Sequence, residues 1–257
     1  MFKFRLNLAY ITLLPKTVDA SMVKGYQPIS LIHSFAKLVT KILAARLAPT
    51  LPKLVSNNQS ALVKGRNIHD NFLLVQQLAR AVHKSKEPHI LLKLYISKAF
   101  DMVSWPFLIE VLQHLEFGRR WCNLLCLLLS TSTTQVLVNG VPGRPIFHRR
   151  GLIQSDPLSP MLFILVMGVL NSLIQVASSG NLLLPIARQC PWPRISLYAD
   201  DMVIFLKPEL VNLSVVRALL QCFGAVSGLK TNLMKSSAIP IQCSRRTLCV
   251  LQIFFLA

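Results

Sequence analysis

Acidic residues are scarce in this chain: 10 Asp and Glu stand against 28 Lys and Arg in 257 residues. Charged residues are only 15% of the total, and the deficit falls on one sign, leaving a formal charge of +18 and a pI near 10.2. So basic a chain points to a polyanionic partner. Nucleic acid is the natural one, because phosphates neutralised by Lys and Arg release counterions on binding. The alternative from charge alone is drift that removed acids with no function attached. Other shortages narrow the class. The six cysteines, at 122, 126, 190, 222, 243 and 249, include no C-x-x-C pair, and the six His form no zinc-type constellation with them. That argues against a zinc module and for reduced thiols in an intracellular protein of nucleus or cytoplasm. The longest apolar run, Met161 to Leu170, is about half of the ~20 residues a membrane span needs, so a buried helix and no membrane partner are expected. Lys3 and Arg5 precede a mildly apolar start, but no small-residue cleavage site follows, which argues against secretion. No repeat, low-complexity tract or Gly/Ser linker divides the chain.

What is present alternates helix and strand signals and predicts a mixed α/β domain with a sizeable core. Ser34 is the expected cap of a helix running to Leu47, with Phe35, Leu38, Val39, Ile42, Leu43 and Leu47 as its apolar face, and Pro49 and Pro52 close it. A second helix is expected over 71–82, a buried strand over 89–96, and a helix over 107–117 stopped by Gly118. Asn139-Gly140 between Val138 and Val141 predicts a hairpin with a type I′ turn. Pro160 opens a long apolar helix to about Val176. Strands over 195–198 and 202–206 flank a tight turn, and a helix over 211–226 ends at Ser227-Gly228.

The turn between those last strands carries Asp200 and Asp201, two of only six Asp in the chain. Adjacent carboxylates repel, and a hard divalent cation relieves that repulsion, so an Asp pair on a rigid hairpin tip is a candidate metal site. A solvated turn is the plainer reading of an isolated Asp-Asp. The context decides between them. Tyr198-Ala199-Asp200-Asp201 resembles the Y/F-x-D-D box of reverse transcriptases, and Arg150 to Pro160 (RGLIQSDPLSP) resembles the R-G-L-x-Q-G-D-P-L-S-P box of LINE-type enzymes. Leu92 to Asp101 (LKLYISKAFD) resembles L-K-L-D-I-S-K-A-F-D. Ile11 to Lys16, Gln27 to Leu31, Asn58 to Asn71 and Ser227 to Ser236 resemble four further boxes. Seven boxes in the right order cover about nine-tenths of the chain. The sequence is therefore similar to the reverse-transcriptase domain of non-LTR (LINE-type) retroelements, in wording closest to those of plants.

The resemblance implies an α+β fold, the fingers and palm of a right-hand polymerase, with an antiparallel palm sheet and helices behind it. The implied domain is 1–242, with fingers at about 1–89 and 119–149 and palm at about 90–118 and 150–242; residues 243–257 form an unassigned apolar tail, and no thumb is visible. The implied chemistry joins a DNA primer to a dNTP on an RNA template, with two Mg²⁺ (or Mn²⁺) ions about the reacting phosphate. Asp200 and Asp201 would hold metal on one palm strand. Lys235 falls where a lysine can protonate the leaving pyrophosphate. Lys16, Phe100 and Gln154 fall at nucleotide-binding positions, Phe100 as the steric gate. Arg66 and Arg150 are candidate contacts to a nucleic-acid backbone.

One departure outweighs the others: Tyr95 stands where the third metal-binding Asp belongs. A phenol is neutral near pH 7 and a poor ligand for a hard cation, and it is bulkier than a carboxylate. Asp101 lies six residues on, beyond the expected strand end, and is not expected to replace it. Gln27 replaces a usual Arg, and Ser155 replaces a Gly, which strains the loop if that position needs positive φ. The expectation is a reverse-transcriptase domain with an incomplete two-metal site, inactive as written. The alternatives are a non-catalytic RNA/DNA-binding remnant or an unexpressed relic.

Overall fold

The computed structural model describes residues 7–186 and 193–243. Cys190, Cys249 and the apolar tail from residue 244 onward lie outside the described residues.

The elements follow one another as β1 (Leu8–Pro15), β2 (Tyr26–Ile32), α1 (Ser34–Leu47), α2 (Leu51–Leu54), α3 (Ile68–Lys84) and β3 (His89–Tyr95). Then come α4 (Ala99–Met102), α5 (Trp105–His114), α6 (Arg119–Ser130), β4 (Thr133–Val138), β5 (Val141–Pro142) and β6 (Ile146–Phe147). The chain continues through α7 (Ser159–Ser179), β7 (Ile195–Tyr198), β8 (Asp201–Leu206), α8 (Leu210–Ser227) and β9 (Ser237–Ile241). The chain divides into two compact units, Met1–Pro49 with Phe100–Leu162 and Thr50–Ala99 with Phe163–Ala257. Each has its own sheet, so the class is α+β.

In the first unit β2, β1, β4 and β5 lie side by side, and β6 pairs with β4. β1 runs antiparallel to β2 and parallel to β4. The β4–β5 turn is as expected: Asn139 and Gly140 both take positive φ, 50° and 79°, the pattern of a type I′ turn. α1 corrects the expectation in two ways. Its cap is His33, whose Nδ1 accepts the Phe35 N–H at 3.3 Å. Its buried side is Ala36, Leu43, Ala44 and Leu47, whereas Phe35, Leu38 and Ile42 are more than half exposed. The helix is apolar on two stripes about 150° apart, and only the one carrying Ala36, Leu43, Ala44 and Leu47 is buried. β1, β2 and α6 were not foreseen as elements.

In the second unit the sheet order is β7-β8-β3-β9, antiparallel throughout. Alternation along β3 and β8 places Ile90, Leu92, Leu94, Met202, Ile204 and Leu206 on one face, each 0% exposed. On the other face Phe205 packs with Leu78 and Val82 of α3 and with Ile186. Full burial of Phe205 and Leu78 contributes about 2 kcal/mol each. The Asp-bearing hairpin is thus rooted in a dry sheet rather than in a loop. α8 ends as expected, with Gly228 in the left-handed region at φ 80°.

α7 also exceeds the expectation. It runs to Ser179, a few residues past the expected end near Val176, and with a mean hydropathy of 2.0 over its most apolar 18 residues it is long and apolar enough to cross a membrane; α8 passes the same test at 1.5. Phe163, Ile164, Val166, Met167 and Leu170 are nonetheless 0% exposed within the protein, as in a core helix. Asp156 caps the start of α7, its Oδ2 accepting from Leu158 N–H, Ser159 N–H and Ser159 Oγ at 3.1, 2.9 and 3.0 Å.

Candidate active site

The carboxylate pair sits where β7 turns into β8. Tyr198 pairs with Asp201 to close the hairpin, leaving Ala199 and Asp200 as its two turn residues. Ala199 takes φ 53° while Asp200 does not take a positive φ. A left-handed first position suits glycine and costs a residue with a Cβ about 1 kcal/mol. Ile195, Leu197, Met202 and Ile204 are at most 1% exposed and hold both strands in the core.

A polar clamp grips β7 from its free side. Leu197 N–H donates to Asn58 O at 2.8 Å and Leu197 O accepts from Ser60 N–H at 3.3 Å. The Asn58 amide donates to Ile195 O at 2.9 Å and to Asn171 Oδ1 at 2.7 Å. The Asn71 amide donates to Leu197 O at 2.7 Å and accepts from the Ser196 hydroxyl. Gln59 Oε1 accepts from Ala199 N–H in the turn itself, at 3.1 Å. These residues belong to the Asn58 to Asn71 box, which was legible as family wording but carried no assigned task.

Tyr95, the last residue of β3, lies directly opposite Asp201 in the antiparallel register. Its N–H donates to Ser236 Oγ at 3.2 Å and its O accepts from Asn232 N–H at 2.7 Å. The turn bearing Lys235, itself exposed, is thereby pinned to the Tyr95 backbone. Lys93, two residues back and on the same face, places its ammonium 5.0 Å from the Tyr95 ring centre. The Lys93 pKa is held above its ordinary value, first by the Tyr95 hydroxyl as hydrogen-bond partner, with the Asp201 charge adding and the slight burial opposing.

The donor chemistry at this hairpin and the end of β3 is therefore two carboxylates and a phenol. Asp200 and Asp201 suit one hard divalent cation. Among the described residues no group of three or more His, Cys, Asp and Glu gathers to hold a metal.

The first unit carries a second group of expected residues. Phe100 and Asp101 lie within α4, beyond the end of β3 at Tyr95. The segment Arg150 to Gln154 is tied to them: Gly151 N–H donates to Val103 O at 2.8 Å and Leu152 N–H to Phe100 O at 2.7 Å. Trp105 Nε1 donates to Gly151 O at 2.7 Å. Gly151 has φ 84°, and a Cβ there would lie 2.6 Å from Asp101 O, so only glycine permits the approach. The Gln154 amide reaches Asp101 Oδ1 at 3.5 Å. Asp101, Arg150 and Gln154 line a cavity of about 310 Å³ together with Ser30, Thr134 and His148. His148 bonds the Thr134 hydroxyl, and burial pushes its pKa below the ordinary value while the Asp101 charge pulls the other way. Lys16 is exposed just beyond β1 and does not line this cavity. Ser155 takes φ 72°, so the position does require the conformation its usual glycine supplies.

Arg66 has a task within the second unit. One terminal nitrogen donates to Ser56 O and Gln59 O at 2.6 and 2.7 Å, and the other to Val55 O, Pro52 O and Asn57 Oδ1 at 3.0, 3.3 and 3.3 Å. Its guanidinium is a hub for the loop ahead of α3.

The sequence pattern of the family described as Reverse transcriptase (RNA-dependent DNA polymerase) matches residues 14–247. The chain belongs to the reverse transcriptases. Among curated proteins it is 31% identical over 233 residues to the transposon TX1 uncharacterized 149 kDa protein of Xenopus laevis, covering 90% of this chain and 17% of that protein. It is 28% identical over 239 residues to the retrovirus-related Pol polyprotein of the type-1 retrotransposable element R2 of Popillia japonica, covering 91% of this chain and 32% of that protein. This reverse-transcriptase domain thus spans a third or less of those relatives, which are products of non-LTR retroelements. Among solved structures, a Candida albicans telomerase in complex with a fragment of telomeric RNA matches with a TM-score of 0.61 at 11% identity, covering 95% of this chain and 44% of that one. At that identity the likeness establishes the α+β fold of the fingers and palm.

Proposed function

We propose that this domain binds an RNA template with a DNA primer and that its polymerase step is disabled at Tyr95. The observation that supports the reading is the β3–β8 register, which pairs Tyr95 with Asp201, and the reading takes Tyr95 to occupy the place of a carboxylate ligand. Asp200 and Asp201 would hold Mg²⁺ or Mn²⁺, which supplies charge to the attacking oxygen and the reacting phosphate. The chain's own residues would do the rest. Phe100 excludes a ribose 2′-hydroxyl, Gln154 contacts the incoming nucleotide, and Arg150 meets a backbone phosphate. Lys16, in the first unit, would bind nucleotide phosphate, and Lys235, in the second, would be a proton donor to a leaving pyrophosphate. The +18 formal charge supports a polyanionic partner. Ligands of one centre act as a unit, so the Tyr95 substitution lowers the rate by several orders of magnitude.

Primer extension on an RNA template, in Mg²⁺ and in Mn²⁺, tests the reading on the natural chain and on Tyr95→Asp. The natural chain gives no extension and Tyr95→Asp gives product. Extension by the natural chain overturns the disabling role of Tyr95. Silence from both, with RNA retained in a salt-dependent manner, leaves a nucleic-acid-binding remnant.

A further inference from the structure

We propose that Gln59 is a positioning residue that sets the Asp200–Asp201 turn, and that Arg66 places Gln59. The inference rests on reading the carboxylates as a cation-holding pair.

Gln59 is 2% exposed. Its side-chain oxygen accepts two main-chain N–H groups at 3.1 Å, from Ala61 in its own loop and from Ala199 in the turn. Its main chain forms a parallel bridge with Leu197. One residue thus grips the end of β7 through its backbone and the turn through its side chain. Its own amide nitrogen has no hydrogen-bond partner among the described residues. A buried amide donor left unpaired is costly, because it has given up its water without gaining a partner. The oxygen is therefore the working end of this side chain.

The Ala199 N–H is the donor that needs it. The ladder closes at Tyr198 and Asp201, so this turn amide has no strand partner, and Ala199 is already in the left-handed region. Holding that peptide plane fixes the direction in which the next two residues, Asp200 and Asp201, leave the turn. Arg66 supplies the rigidity behind Gln59 by donating to four main-chain carbonyls between Pro52 and Gln59, the last at 2.7 Å on Gln59 itself.

The test measures residue-resolved amide hydrogen exchange on the full chain, comparing it with Gln59→Met, which keeps the length and loses the acceptor, and with Gln59→Glu, which keeps an acceptor and loses the orphan donor. In Gln59→Met the Ala199 and Ala61 amides exchange at least tenfold faster, while the Leu197 amide, bonded to Asn58 O, changes less than twofold. Gln59→Glu keeps the Ala199 amide protected. Unchanged exchange at Ala199 in Gln59→Met overturns the proposal, and so does equal acceleration at Ala199 and Leu197, which reports general loosening. Terbium luminescence is the second readout: Gln59→Met weakens Tb³⁺ binding about tenfold, and an unchanged affinity shows that Gln59 does not set the carboxylates. Natural protein whose Tb³⁺ signal does not depend on Asp200 refutes the cation-holding reading, and the exchange rates still decide the role of Gln59.

Discussion

Tyr95 and Asp201 face each other across β3 and β8, one a neutral phenol and the other a carboxylate, in a sheet whose opposite face is fully buried. The backbone of Tyr95 is held on one side by that pairing and on the other by Asn232 and Ser236. A side-chain exchange at this position therefore changes ligand chemistry without moving the strand. Tyr95→Asp raises Tb³⁺ or Mn²⁺ affinity by at least tenfold, read by luminescence or calorimetry. Tyr95→Asn, which has similar size and no charge, does not. Equal affinities for the two variants would show that size rather than charge limits the site.

The segment before α7 contains a removable strain and an irreplaceable glycine. Ser155→Gly relieves a positive φ and stabilises the protein by about 1 kcal/mol. Gly151→Ala drives a Cβ against Asp101 O and destabilises it by about 3 kcal/mol. Urea denaturation midpoints separate the two, and a neutral Gly151→Ala contradicts the close approach.

Arg66 and Arg150 part company in RNA binding. The Arg66 guanidinium is committed to loop oxygens, whereas Arg150 is exposed. Arg150→Gln lowers the slope of log affinity against log salt by about 1, as loss of one phosphate contact does. Arg66→Lys leaves the slope unchanged and destabilises the fold by about 2–3 kcal/mol, because an ammonium cannot replace the fork. A reduced slope in Arg66→Lys argues for direct phosphate contact there.

His148 gives a pH dependence. Its folded pKa lies below the ordinary 6.5, first because of burial. The unfolded chain then binds the proton more tightly. The contribution of neutral His148 to stability is complete above about pH 6.5 and is lost as pH falls through the depressed folded value. His148→Gln flattens that part of the stability profile. A His148 ring titrating at or above the unfolded value, followed by NMR, contradicts the assignment.

Reading the chain alone recovered most of what depends on local pattern. The Asn139-Gly140 turn, the Gly228 stop, the strands around Asp200 and Asp201 and the apolar helix after Pro160 all follow from backbone preference and periodicity, which act within a few residues. The boxes lie in family order because each is a short stretch whose wording survives on its own. The helix α1 was misread in its buried side for the opposite reason. Phe35, Leu38 and Ile42 are as apolar as Leu43 and Leu47, and periodicity cannot say which of two stripes finds a neighbour.

The sequence by itself determined the family, the elements near the carboxylates and the phenol at position 95, because these are properties of residue type and order. Tertiary structure alone decided that Tyr95 faces Asp201, that Arg66 serves a loop, that Gly151 lies against Asp101 and that Gln59 holds the turn. Each of those facts joins groups seven or more positions apart, two of them over a hundred, through hydrogen bonds or contacts of a few ångströms, and such proximity exists only once the sheets have closed and the apolar faces are buried.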